Sequence, residues 1–525
     1  MKKTTFLHPS FLICFLLFTQ LQFGQGLTSS QIDSLVQKTM NTFNVPGIAV
    51  AVLKDGQVLH MEGYGVRSIV KDGKVDKNTL FGVASNTKAM TAAALAILID
   101  EGKLEWDTKV TEVIPEFKLY DPYVTSEFTV RDLLTHRSGL GLGAGDLMVW
   151  PSLNTTSKEE LIYNLRYLKP VSSFRSKYDY DNLLYIVAGV VVEKIAGVDY
   201  GTFISENIFR PLEMNNAVVN WNLIKDKTNV IDGHAPTNGK LLPVGLSFTQ
   251  AADPAAGVYA SINDMAKWVQ MQLNNGKYGG QLQYRIFSKE QHREMWTPQT
   301  IIRTGPGDYN TQFKAYGLGW NLSDVNGYKE VTHTGGLLGI VSQVTMIPQL
   351  DLGIIVLTNQ QSGAAFRSIT NSIKDAYFGI KGKDRITQYH ENVLRNEKYS
   401  DSIVAEVWKN VEAVQKNKKI STSDLSKYAG TYHDQWFGKV NISLKNGKLR
   451  FEAEKAPDLH GEMSFYKGNS FVVKWDDRSL NGDAFAVFSL DREGEASGFK
   501  MEPVSPMTDF SFDFQDLDFV KEKQK

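Results

Sequence analysis

From Gly47 to Gly65 the chain reads GIAVAVLKDGQVLHMEGYG, two β-rich runs around Asp55-Gly56, and this predicts a hairpin that starts an antiparallel sheet. After Ser85 the run AMTAAALAILIDEGKL carries helix formers and an apolar stripe, with Gly102 as its stop, and predicts a buried central helix. Between about 105 and 250 helical pieces such as TVRDLLTH, SKEELIYNLRYL and NLLYIVAGVVVEKIAG alternate with Gly, Pro and Asn loops. A further helix is expected from Ile262 to about Leu273, with Ser261 as N-cap and Asp264 at its third position. Strand character returns in FKAYGLGWNL, EVTHTGGLLG, SQVTMIPQ and LGIIVLTNQ, so a sheet begun near residue 47 is completed after 310 and the helical region is an insertion. The helix expected in GAAFRSITNSIKDAYFGI then packs across that sheet.

Residues 381–421 are charged and helix-compatible. Beyond them Val440, Ile442 and Leu444 alternate with Lys439, Asn441 and Ser443, and Asn446-Gly447 turns the chain back toward Leu449 and Phe451. Similar short strands recur in SFVVKW and AFAVFSL. The expected fold is α+β: an antiparallel sheet flanked by helices with an inserted helical subdomain at about 105–250, then a small all-β barrel or sandwich. The divisions read as a leader at 1–25, a main domain at 26–380, a helical linker at 381–421 and the β domain at 422–525.

At 525 residues the chain exceeds one core of usual size, which fits two domains, and 42% hydrophobic with 22% charged residues is ordinary for a folded protein. Its first residues place Lys2 and Lys3 before an apolar run from Phe11 to Phe18, the layout of a signal peptide cleaved near Gly24 to Gly26; the run is too short to span a bilayer. Export to the periplasm or the medium follows, without a membrane span once the leader is gone. The one cysteine, Cys14, lies in the leader behind the bulky Ile13, which disfavours a lipid anchor and leaves the mature chain without thiol, disulfide or cysteine metal site. Nine histidines are scattered and none forms His-Glu-x-x-His, so no metal and no cofactor is expected. Loss of Lys2 and Lys3 leaves 55 basic against 58 acidic residues, near neutral, and nothing points to a nucleic-acid partner.

On a helix, positions i and i+3 share a face, so Lys88 can place its amine beside the Ser85 hydroxyl, a nucleophile with a base. To serve as a base near pH 7 the amine must lose about 3 pKa units, roughly 4 kcal/mol of preference for its charged form, which burial can supply. Four Ser-x-x-Lys pairs occur (Ser68/Lys71, Ser85/Lys88, Ser464/Lys467, Ser497/Lys500), and only Ser85/Lys88 opens a long apolar helix, where free N–H groups can also face an oxyanion. Tyr180 and Asn182 form the only Tyr-x-Asn, readable either as a helix start capped by Asp181 or Asn182 or as a phenol and an amide aimed into a cleft. In Thr332-His333-Thr334-Gly335-Gly336 the two glycines would let a substrate backbone lie close to a strand.

These three elements, VASNTK, YDYDN and HTGG in this order, resemble the serine β-lactamase-like superfamily, in the branch of class C β-lactamases, D-aminopeptidases, penicillin-binding carboxypeptidases and esterases. The flanking FTVRDLLTHRSGL, DPAAGVYASINDMAKW and YGLGW resemble it too, over about residues 30–380. The resemblance implies Ser85 as the acylated nucleophile, Lys88 as its base or proton relay and Tyr180 as a second proton shuttle whose phenolate Lys88 would favour. It implies Asn182 as the residue bonding the substrate amide, and His333, Thr334, Gly335 and Gly336 as a substrate-binding strand, with the N–H groups of Ser85 and Gly336 as oxyanion hole. His333 departs from the pattern, because β-lactamases and carboxypeptidases usually carry lysine there while histidine near pH 7 is mostly neutral. A peptide-like amide or ester, including cell-wall-derived ones, is therefore the expected substrate of a serine hydrolase. D-alanyl-D-alanine carboxypeptidase or β-lactamase activity is the alternative, and a non-catalytic binding or sensor protein a third reading. His136 and Arg137 read as structural. Gly139 to Gly145 reads as cleft wall or plain connection and Trp320 as pocket or core; the role of the β domain and the oligomeric state stay open.

Overall fold

The computed structural model describes residues 25–151, 154–246, 249–416 and 425–523. The charged and apolar parts of the leader, with Cys14, lie outside the described residues. Helix α1 (Ser29–Phe43) opens with a capping box on Thr28 and leads into β1 (Gly47–Lys54) and β2 (Gln57–Gly65), joined through Asp55 and Gly56, both at positive φ as the hairpin signal requires. Six later strands complete the sheet: β3 (Thr300–Ile302), β4 (Lys314–Tyr316), β5 (Asn321–Val325), β6 (Tyr328–Leu337), β7 (Ile340–Ile347) and β8 (Leu352–Thr358). The order is β3-β4-β5-β6-β7-β8-β1-β2, and every pairing is antiparallel. The chain thus returns after 300 to lay β8 beside β1, and what lies between is an insertion.

Strand β1 is apolar at nearly every position because helices cover both faces of the sheet. Ala49, Ala51 and Leu53 join one core, Ile48, Val50 and Val52 the other, as the two-residue period dictates. On one face lie α2 (Thr87–Asp100) and α4 (Ile262–Leu273); on the other, α1 and α5 (Gly363–Tyr377). Helix α4 starts with the capping box of Ser261 and Asp264. Helix α2 is buried on all sides from Thr87 to Leu98, and its alanines admit close packing by α3 (Leu183–Ala196), which is likewise buried from Leu183 to Val192.

The insertion is less helical than its sequence suggests. TVRDLLTH yields one turn, Val130–Leu133, and the stretch behind it contains a hairpin, Gly233–Thr237 with Lys240–Val244, turned by Asn238 and Gly239 at positive φ. Among the described residues no helix is long and apolar enough to cross a membrane.

Helix α6 (Arg385–Lys416) runs 32 residues, about 48 Å at 1.5 Å per residue. Arg385 anchors its start, at 2.6 Å from Asp375 and 2.7 Å from Asp308, while Val407 and Val411 pack on Val472 and Val504 of the last domain. That domain is a closed barrel of eight antiparallel strands, from Gly430–Asp434 to Phe519–Lys521. Val440, Ile442, Leu449 and Phe451 point inward as their alternation foretells, and a long loop, 504–518, precedes the last strand.

Candidate active site

The first turns of α2 and α3 meet beside the glycine end of β6. Ser85 sits in a tight turn, Ala84–Asn86, that feeds α2, and Ala84 holds φ +49°, a region alanine rarely adopts. Neighbours impose this turn. The Ser342 hydroxyl donates to the Val83 carbonyl at 2.7 Å and accepts from Asn86 at 2.8 Å, and the Val83 N–H donates to the Val258 carbonyl at 2.9 Å. Gly335 lies so close that a Cβ there would stand 2.2 Å from the Val83 oxygen and 3.0 Å from the Ala84 Cβ.

Lys88, fully buried, donates to Ser85 Oγ at 3.1 Å, to Asn182 Oδ1 at 2.7 Å and to the Ala255 carbonyl at 3.0 Å. Burial lowers its pKa to about 7, against the opposing pull of Asp146 and Asp181. The partners decide what a neutral amine does. The Ala255 carbonyl can only accept, and so can Asn182 Oδ1, because Asn182 Nδ2 is committed to Asp146 Oδ2 at 2.7 Å. The two remaining N–H groups go to those oxygens, and the free lone pair faces the Ser85 hydroxyl.

Tyr180 precedes α3 and is within hydrogen-bonding reach of Ser85, with the Lys88 amine 4.9 Å from its ring centre. Burial, reinforced by neighbouring Tyr178, Tyr185 and Asp146, pushes the phenol well above its ordinary pKa in spite of the Ser85 contact. Tyr180 is therefore held as the neutral phenol, not the phenolate expected from the lysine's charge.

His333 Nδ1 lies 2.7 Å from the Thr334 carbonyl, which can only accept, so the proton is on Nδ1 and Nε2 accepts from the Tyr316 hydroxyl at 2.9 Å. Burial, with Lys88 nearby, lowers its pKa to about 3. His136, at φ +52°, packs 4.2 Å from the Tyr180 ring and accepts from the Asp181 N–H at 3.0 Å; burial, Lys88 and His333 hold it well below its usual range. Both imidazoles are neutral.

The barrel reaches this site. Its 504–518 loop seats the Phe510 ring edge-on to Tyr180 at 5.8 Å, and the Asp513 carboxylate accepts from the Gly145 N–H. The Ser511 hydroxyl donates to Asp146 Oδ2 at 2.9 Å. Gly143 and Gly145 hold φ +71° and +75°, and a Cβ on Gly143 would meet the Phe510 carbonyl at 2.7 Å, so the glycine run is a connection that seats the barrel loop, while Asp146 behind it borders the cleft.

Ser85, Tyr180, Asn182, His333, Thr334, Gly335 and Gly336 border one cleft of about 970 Å³, with Lys88 beneath its floor. His333 and Gly335 face the nucleophile's turn, while Thr334 and Gly336 are exposed on the opposite face of β6. Trp320 is fully buried in the core. Asp181 accepts from the Leu184 N–H at 3.3 Å, a helix cap as one reading of its motif had it. Sequence reasoning passed over Asp146, the Ala255 carbonyl, Phe510 and Ser511. Asp146 follows the glycine run directly, a signal that could have marked it; the barrel residues carry none.

The β-lactamase family model matches residues 32–377, and the model of a domain of unknown function (DUF3471) matches 414–521. The chain is similar to unguisins hydrolase ungD of Aspergillus violaceofuscus, 26% identical over 79% of this chain and 76% of that protein, and to protein flp of Staphylococcus aureus, 26% identical over 64% of each. Among solved structures it superposes on the octameric penicillin-binding protein homologue from Pyrococcus abyssi (TM-score 0.59, 22% identity, 94% of this chain and 100% of the other) and on a class C β-lactamase (TM-score 0.54, 19% identity, 68% and 96%). With the family model spanning well over half of its length, and both the sheet and the paired helices as that fold has them, this chain belongs to the β-lactamase family of serine hydrolases.

Proposed function

We propose that the protein is an exported serine hydrolase that cleaves a peptide-like amide or carboxylic ester through an acyl-enzyme on Ser85. The observation that carries this reading is the fully buried Lys88 amine 3.1 Å from the Ser85 hydroxyl and held by two oxygens that can only accept; burial lowers its pKa to about 7. In the proposed reaction Ser85 Oγ attacks the substrate carbonyl as its proton passes to Lys88 Nζ. The backbone N–H groups of Ser85 and Gly336 receive the oxyanion, worth about 10² to 10³ in rate per donor. Tyr180, a neutral phenol, gives its proton to the leaving group and regains one from the Lys88 ammonium, which carries the proton taken from Ser85; water then attacks the ester, gives up a proton to the same pair and frees Ser85, which takes that proton back.

Two features favour an extended amide over a small anionic substrate. The cleft does not end at the nucleophile but passes the glycine end of β6 and runs on along the other face of that strand, by Thr334 and Thr332 to Glu330, about 20 Å at 3.3 Å per residue, past Gln343 and Asn371. His333 is a neutral ring already engaged by Tyr316, not a cation for a carboxylate. Export rests on Lys2 and Lys3 ahead of the apolar run Phe11 to Phe18.

Hydrolysis by residues 26–525 and by Ser85→Ala is compared on D-aminoacyl amides, p-nitrophenyl esters and a chromogenic cephalosporin. Turnover on amides or esters that disappears with the hydroxyl is the expected result. Turnover that survives the substitution removes the acyl-enzyme, and preferential cleavage of the cephalosporin moves the protein to the β-lactamases proper.

A further inference from the structure

A continuous line of hydrogen bonds joins the barrel to the nucleophile. Ser511 Oγ donates to Asp146 Oδ2; Asn182 Nδ2 donates to the same oxygen; Asn182 Oδ1 accepts from Lys88, which reaches Ser85. Asp146 is fully buried, and its other oxygen, Oδ1, has no hydrogen-bond partner among the described residues. Its carboxyl group is therefore oriented by two donors alone, one from the hydrolase domain and one from the barrel. Phe510 and Asp513 dock the same loop on Tyr180 and Gly145, so Ser511 is held from both sides in sequence.

We propose that the 504–518 loop of the barrel is a working part of the catalytic centre, with Ser511 as a positioning residue that keeps Lys88 aligned on Ser85 through Asp146 and Asn182. The proposal rests on the serine hydrolase reading and assigns the domain of unknown function a task within it. A hydrogen bond from Ser511 favours the ionised carboxylate. The surroundings oppose it: burial, then the charge of Asp181, raise Asp146 to about 8. Lys88 is faced by Asp146 and Asp181, by Tyr180 and Tyr185, and by the neutral His136 and His333. Without the Ser511 hydroxyl the Asp146 carboxyl group ionises less readily, and a less ionised Asp146 holds the Lys88 charge less firmly, so the Lys88 amine loses its proton at lower pH.

The test uses the full chain and p-nitrophenyl acetate. Ser511→Ala is expected to lower kcat about 10-fold with KM within about twofold, and to move the acid limb to lower pH by up to about one unit, the size of one charge-assisted hydrogen bond. Ser511→Thr, which keeps the hydroxyl, restores the limb. In an Asp146→Asn background the same Ser511→Ala change should alter kcat less than twofold. Equal losses in both backgrounds, or an unmoved limb, overturn the proposal. A second readout needs no turnover: the Tm gap between wild type and Ser511→Ala should widen as pH rises through about 8, and a constant gap overturns the relay. Silence of the wild type toward every acylating probe instead overturns the hydrolase reading, with the Tm gap still deciding whether Ser511 acts on Asp146.

Discussion

Lys88 loses its ordinary proton affinity because it is enclosed, and the direction of its shift sets the pH dependence of the reaction. The amine must be neutral to take the serine proton, so kcat/KM is expected to rise with pH through a midpoint near 7; a rate already at its plateau at pH 5 would contradict this. Lys88→Met should cost about 10² to 10⁴ in kcat at every pH. His333→Lys adds a second cation beside Lys88 and further disfavours its charged form, so the acid limb should shift to lower pH, read on the same ester. Of these groups the serine with the lysine and the tyrosine with the asparagine could be picked out from sequence because each pair lies three or fewer positions apart at a helix start, and the histidine because two glycines follow it on a strand. The pKa of Tyr180 could not, because the burial that raises it comes from the packed pocket, with Tyr185 and Asp146 adding to Tyr178 of its own motif.

Between elements, the decisive contact is the seat of β6 against the turn before α2. Gly335→Ala is expected to lower turnover about 100-fold while most of the protein stays folded, because its Cβ would press on the Val83 carbonyl and displace the nucleophile by a fraction of an ångström or more. Turnover and thermal unfolding measured together check this, and wild-type rates in the variant would show that the seat tolerates a side chain. Period and punctuation made most of this frame readable: apolar strands with Asp55-Gly56 and Asn446-Gly447 turns, and the capping box of Ser261 and Asp264. The same signal, Asn238-Gly239, marks the hairpin that went unread, lost in a stretch already full of Gly, Pro and Asn. TVRDLLTH shows the converse, a helical pattern cut to one turn by the loop that follows at His136.

Across the whole molecule, the seam between the domains is rich in buried carboxyl groups. Burial, with Asp516 and Asp146 adding repulsion, raises Asp513 to about 10, whereas an unfolded chain would titrate it near 3.9. A raised carboxyl pKa contributes stability that is whole below the unfolded value and is lost as pH climbs through the folded one. The melting temperature is thus expected to decline from neutral pH toward pH 10, and Asp513→Asn to flatten that decline; calorimetry across this range decides it. No pattern in the sequence foretold the seam, since Ser511 and Asp146 stand 365 positions apart and meet only when both domains are folded. That distance also has a meaning in time. A ribosome adding about 5 to 20 residues per second brings out Ser511 roughly 20 to 70 seconds after Asp146, so for that interval the Asp146 carboxyl group has Asn182 but not yet its donor from the barrel.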